Sequence, residues 1–127
     1  MAIPGSSDGQ EVLRRGGITG QSNDATSFDF TGSHPSLGDD TDVVPANHII
    51  TVLNIIFCQT DGGEEQILMY QNTTSTIYLL YNQVIGGYKT FIWNEKFVLI
   101  GGESLVVNMA SSTTCDIWYS YLDQDWS

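Results

Sequence analysis

Positive charge is scarce in this sequence. Its 127 residues carry fifteen acids against four bases, a formal net charge of −11. The bases are Arg14, Arg15, Lys89 and Lys96. Four bases do not make the electrostatic footprint that nucleic acid requires, nor the polybasic patch that holds a protein to an anionic membrane surface. Neither partner is expected. The acidic balance favours solubility and attraction to cations or to a basic patch on a partner.

Long apolar runs are missing too, and no segment has the length and apolarity of a membrane span. The opening residues, Met1-Ala2-Ile3-Pro4-Gly5, lack the basic and apolar regions of a Sec signal peptide, so synthesis in a cytoplasm without Sec export is expected. Imidazoles are limited to His34 and His48. No nucleophile elbow, H-E-x-x-H or dinucleotide fingerprint is present, and an enzyme is not expected. No cofactor is implied. The two cysteines, Cys58 and Cys115, fall on opposite phases of their strands, which disfavours a bridge, and no C-x-x-C or paired His supports zinc. Two reduced structural thiols are expected.

Helical periodicity is absent as well. Nowhere does a 3.6-residue apolar period run for ten residues. What the chain does have is short β-branched and aromatic runs separated by Gly-rich and Asx-rich turns. Strands are expected over 27–32, 48–59, 65–71, 76–85, 88–94, 96–100, 104–109 and 115–122. A long irregular connection covers 33–47. These about eight strands predict an all-β fold, an antiparallel β-sandwich of jelly-roll or Greek-key type.

Residues 1–26 differ from the rest. They are rich in Gly, Ser, Gln and Asn, with scattered apolar residues. They read as an extended N-terminal arm ahead of a sandwich domain spanning 27–127, either a disordered tail or a strap that orders on a neighbouring subunit. Val12, Leu13, Arg14, Arg15 and Ile18 are the candidate partner-binding residues of such a strap.

Two pairs of glycines, Gly86-Gly87 and Gly101-Gly102, invite comparison with phosphate-binding loops. Each is followed by a strand pattern, whereas a phosphate loop must open a helix. Both are expected to be chain reversals. Asp39, Asp40 and Asp42 form the densest acidic group and are either a solvated loop or a cation site. In the last strand, Cys115, Ile117, Tyr119 and Tyr121 share one face, and Asp116, Trp118, Ser120 and Leu122 the other. The run His48–Gln59 is apolar on both phases, and sheets apolar on both faces are covered on both faces. Trp118, Leu122 and Trp126 are therefore candidate subunit-interface residues. Cover by the chain's own loops and sugar stacking on exposed Trp and Tyr are the alternatives.

Several stretches carry a resemblance to a known group: "VLNIIFCQTDGG", "IYLLYNQVI", "GGYKTFIWNEKFVL", "GGESLVV" and "DIWYSYLDQDW", with "EVLRRGGITGQSNDATSFDF" upstream. Together they resemble small β-sandwich decoration, cement or accessory structural proteins in the virions of tailed bacteriophages. The resemblance implies a virion location after synthesis in the host cytoplasm. It implies assembly on a repeating protein surface, through contacts with major capsid or other virion proteins and often as a homotrimer; capsid decoration that stabilises the assembled head is the leading expectation. A neck or tail accessory role, and a carbohydrate-binding or host-adhesion module on the same scaffold, remain open.

Overall fold

The computed structural model describes residues 10–30, 43–111 and 113–126. Nine strands form in chain order: β1 (Gln10–Gln21), β2 (Thr26–Ser27), β3 (His48–Gln59), β4 (Glu65–Asn72), β5 (Thr76–Ile85), β6 (Thr90–Trp93), β7 (Phe97–Ile100), β8 (Ser104–Met109) and β9 (Cys115–Asp125). No helix occurs among the described residues. The all-β sandwich read from the turn spacing is therefore the observed fold.

One sheet runs β1-β9-β3, with β6 and β7 both on the far edge of β3; the other runs β2-β8-β4-β5. Every pairing is antiparallel. Strand β7 lies along Ile49–Val52 and β6 along Ile55–Cys58, so the two act as one strand interrupted at Asn94-Glu95-Lys96. Counted so, the chain is a single long hairpin. Its central pair is β4·β5, followed outward by β3·β6/β7, β2·β8 and β1·β9. Rolling that hairpin brings β9 beside β3 and β8 beside β4, which closes the two sheets into a jelly roll.

Strand β3 has a β-bulge between Val52 and Asn54. Ile50 and Val52 point inward before it, and Ile55 and Phe57 point inward after it. The extra residue shifts the two-residue period by one, so both phases of the strand reach the core in turn. The double-phase apolarity thus has an intrachain cause, and it does not by itself require a second cover.

Residues 10–21, which composition places in an arm, are extended and lie along β9 as the edge strand of the first sheet. Gly16 explains their unusual composition. It sits opposite Tyr119, and a Cβ at Gly16 would fall 2.3 Å from the Tyr119 ring carbon Cζ. A glycine in a strand here marks the close passage of an aromatic ring.

The stretch expected as a strand over 27–32 leaves its ladder early. Phe28 N donates to Leu105 O at 2.8 Å, and Phe28, Asp29 and Phe30 are not in a strand; residues 31 and 32 lie outside the described residues. The Tyr119 hydroxyl takes over, accepting from Asp29 N at 3.0 Å and donating to Asp29 O at 2.8 Å. A side chain thus does for this backbone what a neighbouring strand would otherwise do. Phe28 and Phe30 are buried and meet Tyr119 and Tyr121 edge-on, with ring centroids 4.8 Å apart for Phe28–Tyr119 and 4.9 Å for Phe30–Tyr121. Such edge-to-face pairs add about 0.5–1.5 kcal/mol each beyond their burial.

Both Gly-Gly pairs are corners. Gly87 packs so closely on the β3–β4 turn that a Cβ there would lie 2.1 Å from Gly62 O. Gly102 has φ of 88° and donates its N–H to Val44 O at 3.0 Å. That left-handed conformation is open to glycine and strained for other residues.

Candidate functional site

Because facing residues of a ladder point to the same side, the register defines the outer face of the β1-β9-β3-β6/β7 sheet. On β9, Cys115, Ile117, Tyr119, Tyr121 and Asp123 are buried, and Asp116, Trp118, Ser120, Leu122 and Gln124 face out. Opposite them on β1 lie Glu11, Leu13, Arg15 and Gly17. On β3 lie Ile49, Thr51, Asn54, Ile56 and Cys58. Ile92 of β6 faces out beside Ile56, and Val98 and Ile100 of β7 face out beside Thr51 and Ile49. This face is strongly apolar. Leu13 is 69 %, Ile92 57 %, Val98 56 % and Ile100 54 % exposed.

The candidate partner-binding residues divide between the two sides of β1. Leu13 and Arg15 join Leu122 and Trp118 on the outer face. The Arg15 guanidinium carbon lies 5.3 Å from the centroid of the Trp118 ring, a cation–π contact that fixes the indole. Arg14 turns to the other side, where its Nε lies 3.1 Å from Asp123 Oδ2. Ile18 is 2 % exposed and belongs to the chain's own core, so in this fold it does not fill a partner's groove. Val12 is partly exposed opposite Asp123. Trp126 follows the end of β9, over a hollow lined by Asn47, His48, Ile49 and Ile100, so it borders the same outer face at its Ile49–Ile100 end.

Ile92, Val98 and Ile100 were not among the residues singled out from sequence. The signal was present in "TFIW" and "FVLI", where Phe91, Trp93, Phe97 and Leu99 pack on the core and leave the alternate residues outside.

Beside Trp118 the outer face is indented. Gly17 has no side chain, and the open hollow of about 350 Å³ next to it is lined by Thr19, Ile56, Cys58, Asp116 and Trp118. Cys58 is exposed here while Cys115 is buried, and both are free thiols, as their opposite phases require. Burial, with the Cys58, Asp116 and Glu65 charges adding to it, pushes the Cys115 thiol up to about 12.

The polar clusters of the interior bind the chain to itself. His48 Nδ1 lies 2.7 Å from Asp123 Oδ1, and His48 Nε2 lies 3.6 Å from Asp125 Oδ2. His48, the first residue of β3, thus joins Arg14 around a buried carboxylate. Glu65 opens β4 and holds the β8–β9 loop. Its carboxylate accepts from Ser111 N at 3.0 Å, Ser111 Oγ at 2.9 Å, Gln66 N at 2.8 Å, and the Thr113 hydroxyl. Burial raises the Glu65 pKa, but these hydrogen bonds outweigh it and hold the carboxyl below its usual range. Among the described residues no group of three or more His, Cys, Asp or Glu is placed to hold a metal ion. His34, Asp39, Asp40 and Asp42 lie outside the described residues.

The outer face of the second sheet carries a smaller feature. Tyr70, Tyr78 and Tyr81 cluster there, with ring centroids 5.3 Å apart for the first pair and 4.8 Å for the second. Tyr78 and Tyr81 are exposed.

No protein-family model and no curated protein matches this sequence. Among solved structures, the fold is similar to a chain in the structure of infectious bursal disease virus, Gx strain, with a TM-score of 0.51 and 7 % identity over 94 % of this chain. A chain in the crystal structure of the T13 IBDV viral particle aligns over 94 % of this chain with a TM-score of 0.47 and 11 % identity. A chain of the Gt strain structure aligns over 95 % with a TM-score of 0.40 and 10 % identity. This chain spans about a third of the length of those chains, 33 %, 31 % and 33 % respectively. At these identities the likeness is one of fold.

Proposed function

We propose that this chain is a structural protein of a virus particle, and that it acts as a decoration or cement protein on the head of a tailed bacteriophage. The observation that carries the reading is the outer face of the β1-β9-β3-β6/β7 sheet, where Leu13, Ile92, Val98, Ile100 and Trp118 are exposed together. An apolar face of this kind marks a protein–protein contact. The jelly-roll likeness to a chain of a virus structure and the sequence resemblance to small virion β-sandwiches support the same reading.

The physical work is stabilisation. Packaged DNA pushes a capsid outward, and a protein that binds the assembled lattice but not its separated subunits stabilises the lattice by mass action. The sandwich supplies a rigid body, and its apolar face supplies one of the protein–protein contacts from which such an assembly is built. The test is to locate the chain on purified particles by electron microscopy, and to compare the heat or low-salt resistance of heads with and without it. Density on the head surface and earlier bursting of depleted heads are expected. Absence from purified particles would refute the reading, and density at the neck or tail would move the role there.

A second reading has one observation of its own. The Tyr70–Tyr78–Tyr81 cluster is an aromatic platform of the kind on which sugar rings stack, and it favours a carbohydrate-binding or host-adhesion module. A glycan array separates the two readings: binding that is lost in Tyr81→Ala favours adhesion, and a blank array removes it.

A further inference from the structure

We infer that the outer face of the β1-β9-β3-β6/β7 sheet is the surface through which two copies of this chain pack, face to face about a twofold axis. This deepens the structural reading above by naming the occupant of that face.

Charge is the first reason. A chain of net charge −11 repels its own copies unless the contact avoids its acids. Among the outward residues of these strands only Glu11, Asp116 and Arg15 are charged. Both acids are engaged within the chain: Asp116 Oδ1 accepts from Gly20 N at 2.9 Å, and Glu11 Oε2 accepts from Gln124 Nε2 at 3.4 Å. The face is close to neutral in a strongly acidic molecule, as a like-with-like contact requires.

Size is the second. Four strand positions abreast span about 19 Å and an eleven-residue strand about 36 Å, a face of about 700 Å². A standard stable interface takes about 800 Å² from each partner. Shape is the third. The same face carries protruding side chains, Ile92 and Val98, and an apolar-walled hollow beside Gly17 and Trp118. An isologous contact needs both on one surface, since each copy presents what the other receives. Two twisted sheets meet face to face at about 10 Å with their strands nearly aligned, the arrangement already used inside the sandwich.

The experiment uses the purified full chain and its own thiols. Cys58 lines the hollow, and Cys115 is buried and unreactive. Maleimide labelling therefore reports on the face itself. For a dimer with Kd on the order of 1 µM, the free-monomer fraction falls about tenfold between 0.1 and 100 µM chain. Cys58 labelling slows in proportion, and light scattering gives a dimer mass at the higher concentration. The paired substitution Ile92→Asp with Val98→Asp restores monomer mass and fast labelling, while Tyr81→Asp on the opposite sheet changes neither. A monomer at 100 µM, or an oligomer in which Cys58 labels as fast as in the dilute protein, overturns the inference; should the Asp variant not fold, the wild-type labelling series decides alone. Because this is read on the isolated chain, its failure leaves the virion assignment to the particle experiment. Absence from particles, in turn, leaves the dimer standing.

Discussion

Replacing Gly16 with alanine adds a single methyl group at the most constrained point of β1. The new Cβ would lie 2.3 Å from Tyr119 Cζ, 2.4 Å from its hydroxyl oxygen and 2.8 Å from Cε2. Ordinary carbon contacts need about 3.5–4.0 Å, so either the ring or the strand must move by more than an ångström. The ring is poorly placed to do so. It is fully buried, its hydroxyl holds Asp29 by two hydrogen bonds, and Phe28, Phe30 and Tyr121 surround it. Overpacking of this kind costs about 1–3 kcal/mol, and losing the two hydrogen bonds adds about 1 kcal/mol each. The sum is about 3–5 kcal/mol, against the 5–15 kcal/mol that a domain of this class typically has. Thermal unfolding followed by circular dichroism is expected to show a fall in Tm of about 10–20 °C. Tyr119→Phe supplies the cross-check. By itself it loses the two Asp29 hydrogen bonds, the same two that Gly16→Ala disrupts, and in the double variant they are lost only once, while Cζ stays 2.3 Å from the new methyl. The double variant is therefore less destabilised than the sum of the singles. A Gly16→Ala protein within 0.5 kcal/mol of wild type in urea, or singles that add without coupling, would refute the argument.

Three further substitutions probe the joints of the roll. Glu65→Gln is expected to cost about 2 kcal/mol near neutral pH, since four donors converge on that carboxylate. The folded Glu65 pKa is depressed, so its contribution is complete above the ordinary carboxylate range and disappears as pH falls through the folded value; urea midpoints across pH 2–7 should show wild type and Glu65→Gln converging in acid. Gly87→Ala forces a methyl into Gly62 O, backbone against backbone, and should lower stability by about 2–4 kcal/mol in chemical denaturation. Asp123→Asn leaves Arg14 and His48 without their shared charge and should cost about 2 kcal/mol, measured the same way, with no change in the aromatic near-ultraviolet signal.

The parts of this fold legible in the sequence were those set by local alternation. Residues 115–122 obey a strict two-residue period, and their inward and outward faces are the observed ones. The Gly-Gly corners were legible because a strand pattern, rather than a helical one, follows each. What was hidden depends on partners distant in the chain. The bulge at Leu53 and Asn54 leaves no local mark, and it turns a strand with one buried face into one that looks apolar on both. Gly16 and Gly17 lower the apparent strand propensity of 10–21, yet Gly16 is glycine because Tyr119 lies 103 positions later in the sequence and directly across the ladder. For the candidate site, Trp118, Leu122, Leu13 and Arg15 were separately conspicuous. Only the pairing of β1 with β9 puts them on one surface and turns Arg14 and Ile18 away from it.

The pairing of β1 with β9 also decides how the molecule bears force. Gln10 lies opposite Asp125, and Gln21 opposite Cys115. Tension that enters at Gln10 and leaves at Asp125 opens the ladder like a zipper, one hydrogen-bonded rung at a time, and meets little resistance. Tension that enters at Gln10 and is held near Cys115 drags the two strands past each other, so every rung resists together. A tether ahead of Gln10 combined with a grip on the Cys115 end of the sheet would therefore make this small roll a mechanically strong link under outward load, with its direction of strength set by the antiparallel register alone.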